Sequence, residues 1–188
     1  MKTIKAVSIT ATTLLMLTSS IAPANANYIP NIDGRTATSE SANIPSKISF
    51  EQTEKFIEYK KNTELVNATI SRLKSYVGKT WYVFSGNTPS GWDCSGLTMW
   101  FYEQFGIELE HRATVQALGG QKVSEPKPGD IVAFHYENSK KAYHVGIYIG
   151  NGLMIHSPAP GKSTSIDNVI RFGGTYSDIS YIRYINTI

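Results

Sequence analysis

Apolar and polar positions alternate most regularly around residues 144–156. Val145, Ile147 and Ile149 fall on every second position, and so do Leu153 and Ile155. That period of two is the signature of a strand with one buried face. Gly150, Asn151 and Gly152 between the two runs signal a hairpin. A three-residue loop would pair Ile149 with Leu153 and Gly146 with His156. All five aliphatic side chains then share one face, and His144, Gly146, Tyr148, Met154 and His156 share the other. A two-residue loop would scatter the aliphatics over both faces, so the pattern selects the three-residue register.

Other stretches follow different periods. Val66, Ile70, Leu73 and Val77 repeat at helical spacing and predict a helix over 65–77, ended by Gly78. Ser49 with Gln52 three residues on reads as a capping box, opening an earlier helix to about Thr63. Phe50 and Ile57 lie two turns apart, with Phe56 at the edge of their stripe, so this first helix is expected to pack on the body. Residues 97–105 are mostly apolar, free of Gly and Pro, and stop at Gly106. Asp93 is placed to cap that helix, with Cys94 as its first residue. Residues 131–134 are a continuous apolar run following the turn Pro126-Lys127-Pro128-Gly129-Asp130. Further strands are expected near 163–166 and over 181–185, the latter closing the sheet. Helices precede antiparallel strands, which predicts an α+β fold.

The first 26 residues read as a signal peptide. Lys2 and Lys5 form a basic start, residues 6–17 are mostly apolar, and Ala24-Asn25-Ala26 fits a cleavage site. The apolar part is too short and too rich in Thr for a membrane span. Residues 27–47 are rich in Ser, Thr, Asn, Pro and Ala and read as a flexible leader. The expected division is therefore 1–26, 27–47, an N-terminal helix at 48–64, and a catalytic domain at 65–188. The mature protein is expected outside the cytoplasm, secreted or in the cell envelope, with no integral membrane segment. Losing two lysines and no acidic residue takes the formal charge from +3 to +1. Such a neutral chain offers no electrostatic case for nucleic acid.

The chain has one cysteine, Cys94, which excludes an internal disulfide. An unpaired thiol in an exported protein is a candidate nucleophile, and the positive end of a helix favours its thiolate. Its other reading is a small buried hydrophobe. A nucleophile needs a base and an orienting group. His144 and His156 are the pair that the hairpin brings to one face. His111, in a charged loop, and His135, at a strand end, read as solvated side chains. No metal-ligand spacing appears, and no metal or organic cofactor is expected.

Several blocks together resemble the NlpC/p60 family of papain-like cell-wall cysteine peptidases. They are Trp81-Tyr82-Val83-Phe84-Ser85-Gly86, Asp93-Cys94-Ser95-Gly96-Leu97, Arg112 with Gln116, Pro128-Gly129-Asp130, His144-Val145-Gly146-Ile147-Tyr148-Ile149-Gly150 and Met154-Ile155-His156. The resemblance covers about 65–185. It implies a papain-like core with N-terminal helices on an antiparallel sheet, and a triad of Cys94, His144 and His156. It also implies that Tyr82 stands beside the nucleophile, and that Asp93, Ser95 and Arg112 bind substrate, the first two through a free amino terminus. The substrate it implies is bacterial peptidoglycan, cut in its stem peptides between D-isoglutamate and a diamino acid. The same triad also serves amidases and acyltransferases, and a non-catalytic wall-binding module is the remaining alternative. Two residues depart from the family pattern. Ser85 stands where glycine is usual, and His111 where proline commonly precedes Arg112.

Overall fold

The computed structural model describes residues 49–175 and 177–188. The expected signal peptide and leader lie outside the described residues. The chain begins with α1 (Phe50–Lys74), opened by the Ser49/Gln52 capping box. This is one helix where two were expected. No Gly or Pro interrupts it, and Thr63, read as a break, bonds its hydroxyl back to the Tyr59 carbonyl at 2.7 Å. The boundary expected between 64 and 65 thus falls inside a continuous helix. Only its second half reaches the core, through Val66, Thr69, Ile70 and Leu73. Phe50, Phe56 and Ile57 are exposed. The expected packing through these three side chains therefore does not occur, and the first half meets the body only near its end, where the Asn62 amide donates to the Asn186 carbonyl at 3.1 Å.

A two-stranded hairpin, β1 (Asn87–Thr88) and β2 (Gly91–Trp92), leads into α2 (Cys94–Glu103). Next come α3 (Ala113–Gly119), β3 (Gln121–Val123), β4 (Ile131–Tyr136), β5 (Ala142–Gly150), β6 (Leu153–His156) and β7 (Ser165–Asn168). A short α4 (Val169–Gly173) and β8 (Ser177–Arg183) follow. The fold is α+β, with six antiparallel strands in the order β3-β8-β4-β5-β6-β7. The strand expected to close the sheet is an interior one, between β3 and β4.

Alternation along the strands builds two cores. Ile131, Ala133, Val145, Ile147, Ile155 and Ile182 face the helices, with Leu73, Leu97 and Phe101 opposite them. Val132, Phe134, Tyr148 and Met154 face the other way, with Val169. The β5–β6 turn corrects the expected loop. Gly150 pairs with Leu153, so the loop is the two-residue Asn151-Gly152, both at positive φ (54° and 70°). A bulge at Ile149 then shifts the register, and Ile147 pairs with Ile155. The bulge absorbs one residue and restores the face assignment that the apolar pattern demands.

Candidate active site

Cys94 opens α2, and Asp93 caps it, accepting the Gly96 N–H at 2.8 Å. The helix start is clamped by glycines. A Cβ at Gly96 would lie 1.9 Å from the Gly86 carbonyl oxygen, and one at Gly86 2.4 Å from that of Gly91. Only bare backbone lets the β1–β2 hairpin press this closely on the turn that carries the thiol. The Asp93 N–H also donates to the Gly86 carbonyl at 3.1 Å.

The Cys94 thiol is partly buried, and the Val145 N–H points at it from the residue after His144. Burial pushes the thiol up, against the pull of the Val145, Ser95 and Cys94 amides, and Asp93 adds to the rise. Burial thus outweighs the helix-start amides, which pull in the direction expected from the position of the thiol. Tyr82 is close by. Burial, then the charges of Asp93 and Cys94, raise its pKa and keep the phenol a donor.

His144 and His156 are both buried, and they meet. His144 Nε2 lies 2.7 Å from His156 Nδ1, with the rings nearly perpendicular at 85°. Gly146 opposite His156 makes room, since a Cβ there would come within 3.0 Å of the His156 Cβ. Phe172 of α4 packs on both rings, 4.9 Å from His144 and 4.5 Å from His156. Burial, then His156, hold the His144 pKa down at about 3. Burial lowers that of His156 as well, against Asp167.

A third residue, Asp167, completes the line from β7. Its Oδ2 lies 2.7 Å from His156 Nε2 and accepts the Ser165 hydroxyl at 2.7 Å. The carboxylate can only accept, so the proton of His156 sits on Nε2. His156 Nδ1 then accepts from His144 Nε2–H, and the lone pair of His144 is left on Nδ1. One carboxylate on β7 therefore sets the tautomers of two rings. Its only trace in the sequence is a polar residue one position past the strand expected near 163–166, which the structure places at Ser165–Asn168.

The substrate-side residues sit in different surroundings. Asp93 Oδ1 also accepts the Ser95 hydroxyl at 3.0 Å and contacts His111 Nε2 at 2.8 Å, and Oδ2 accepts the Ser85 N–H at 3.0 Å. Burial would raise the Asp93 pKa. The Gly96 amide, His111 and Ser95 outweigh it and hold the carboxyl below its ordinary range. Ser85 adopts φ 56°, the left-handed conformation that the glycine usual there would favour. Arg112 is exposed at the start of α3, where its side chain makes no capping hydrogen bond. His111 is thus no free surface side chain. Nor is His135, which is buried on β4 with Nε2 2.7 Å from the Ser180 hydroxyl. Both contacts come from residues far away in sequence. Among the described residues no group of His, Cys, Asp and Glu is arranged to hold a metal ion, and no helix is long and apolar enough to cross a membrane.

Comparison with known proteins points one way. A profile of the NlpC/P60 family matches residues 78–179. A probable endopeptidase of Mycobacterium tuberculosis is 48% identical over 102 residues, covering 53% of this chain and 26% of that protein. The probable endopeptidase p60 of Listeria monocytogenes is 37% identical over 102 residues, 53% of this chain and 20% of that protein. The chain thus spans about a quarter or less of the length of these curated relatives. Among solved structures, the NlpC/p60 domain of the peptidoglycan hydrolase SagA superposes with a TM-score of 0.53 at 34% identity, covering 63% of this chain and 98% of that one. An NlpC/P60 family protein from Bacillus cereus gives 0.57 at 30% identity, covering 64% and 40%.

Proposed function

The chain belongs to the NlpC/P60 family, and from that premise we propose that it is a cysteine endopeptidase of bacterial peptidoglycan. Its substrates are stem peptides, cut between D-isoglutamate and a diamino acid, and it works outside the cytoplasm, secreted or in the cell envelope. The observation that carries this reading is the line of hydrogen bonds from Asp167 through His156 to His144, with the amide of the next residue, Val145, on the one thiol of the chain.

Both reacting groups start neutral, because burial disfavours the charged form of each. His144 Nδ1 takes the Cys94 proton as the sulfur attacks the amide carbonyl. The imidazolium that forms is stabilised through Nε2–H by His156 and, beyond it, by the Asp167 charge. The Cys94 N–H, which has no partner within the helix, and the Tyr82 hydroxyl receive the oxyanion. His144 then protonates the leaving amine, and a thioester remains. Water attacks it, giving its proton to His144, and the thiol is restored. Asp93 and Ser95 recognise the amino-terminal side of the peptide, and exposed Arg112 contributes to substrate binding.

Digestion of purified muropeptides of two chemotypes, with fragments identified by mass spectrometry, tests this. Fragments with a new amino terminus at the diamino acid are expected, and none from Cys94→Ala, since loss of a covalent nucleophile costs several orders of magnitude. Cleavage of the bond between glycan and peptide would make the protein an amidase. Substantial cleavage by Cys94→Ala would remove the cysteine mechanism.

A further inference from the structure

The carboxylate of Asp93 is crowded. Four donors surround it: the Gly96 and Ser85 amides, the Ser95 hydroxyl and the His111 ring. An ionised carboxylate offers about four lone-pair sites. Three of the donors belong to the fixed frame, being two backbone amides and a buried side chain of α2. His111 differs. It arrives from a loop, and 26% of its side chain remains exposed. It can turn outward without breaking a backbone bond.

The loop is nevertheless built to deliver it. The Arg112 N–H donates to the Glu110 carbonyl at 2.8 Å, closing a three-residue turn with His111 at its apex. The amide of buried Gln116 donates to the same carbonyl at 2.8 Å and to the Ser95 carbonyl at 3.0 Å. That side chain fastens the His111 turn directly to the first turn of α2.

We infer that His111 is a specificity-determining residue: it occupies Asp93 in competition with cationic ligands and biases the cleft toward stem peptides with an acylated amino terminus over those with a free one. This rests on the reading of Asp93 and Ser95 as the substrate's amino-terminal side. An ammonium group must find both the Asp93 charge and an open lone pair. A free-amine peptide gains that site only by displacing the imidazole. An N-acylated peptide presents a neutral amide there and has no charge to place on Asp93. One side chain outside the catalytic line thus sets the balance between two substrate classes.

The test uses L-Ala-D-isoglutamyl-diamino acid peptides with free and with N-acetylated termini. For His111→Ala, the ratio of kcat/KM for the free over the acetylated peptide should rise about tenfold, mostly through KM. His111→Gln, whose neutral amide can still donate to Asp93, should fall between Ala and wild type. A purely structural role would lower both peptides together, so an unchanged ratio in both variants overturns the inference. Calorimetric binding of the free dipeptide L-Ala-D-isoglutamate to Cys94→Ala, with and without His111→Ala or His111→Gln, asks the same without turnover. Tightening of about tenfold is expected with Ala, with Gln between, and no tightening with either overturns the inference. A wild-type chain that cleaves neither peptide would refute the hydrolase reading, while the calorimetric result would still decide the role of His111.

Discussion

Replacing Asp167 by Asn removes a charge from the far end of the histidine line and leaves its shape. Two hydrogen bonds of 2.7 Å and one imidazole ring separate the carboxylate from His144. The negative charge thus stands about 8 Å from the imidazolium of the transition state, an attraction of about 2 kcal/mol at an effective dielectric of about 20. Asp167 keeps 46% of its side chain exposed, so solvent screening reduces this to about 1 kcal/mol, roughly fivefold in rate. Asn retains a carbonyl that can accept from His156 Nε2–H, so the tautomers survive. Asp167→Ala loses the acceptor too. His156 can then move its proton to Nδ1 and face His144 with a donor, and the loss should reach the order of a hundredfold. The assay is kcat/KM on a stem tetrapeptide for wild type, both Asp167 variants, His156→Ala and His144→Ala. The expected order of loss is Asp167→Asn, Asp167→Ala, His156→Ala, His144→Ala. Asp167→Ala at the wild-type rate would show that His156 needs no orienter. Asp167→Asn as slow as His144→Ala would show that the electrostatic account is wrong.

Two further outcomes follow from buried groups and close contacts. Gly96→Ala places a methyl 1.9 Å from the Gly86 carbonyl oxygen, and should cost about 3 kcal/mol, at the upper end of overpacking, together with most of the activity; wild-type urea midpoint and turnover would refute the clamp. His144 stays neutral in the folded chain down to about pH 3, whereas it titrates near 6.5 when unfolded, so the unfolded chain binds more protons in between and stability falls as pH drops from 6.5 toward 3. The slope is up to about 1.4 kcal/mol per pH unit for one such group, with His156 acting in the same direction and the depressed carboxyls of Asp93 and Asp167 adding their loss near and below their ordinary range. A urea midpoint flat from pH 7 to pH 4 would contradict this.

The local parts of the site were legible because their causes are local. Asp93 as a cap, Cys94 at a helix start and the common face of His144 and His156 each depend on periodicity or on spacing within a few residues. The β5–β6 turn shows where such reasoning stops. The face assignment was right and the loop was not, because a bulge and a two-residue turn give the same phase as a three-residue loop. The break expected near Thr63 does not form, since no Gly or Pro lies there and the Thr63 hydroxyl bonds back to its own helix. What remained hidden is long-range. Asp167 reaches His156 across β6 and β7, His111 reaches Asp93 from 18 positions away, and His135 reaches Ser180 over 45. None has a local pattern that names its partner.

The place of β8 bears on the order in which the chain can be completed. β8 is the last of the strands to be synthesised, yet it lies inside the sheet, between β3 and β4. Its Arg183 forks onto Asp130 at 3.0 and 2.7 Å, and its Ser180 holds His135. A chain cut short before Ser177 leaves β3 without a neighbour and β4 with an open edge, the kind of edge that invites aggregation. The thiol and both histidines are therefore translated well before the sheet around them can close. A nascent chain of this design carries its thiol and histidines early and acquires the frame that steadies them only when β8 slides into place.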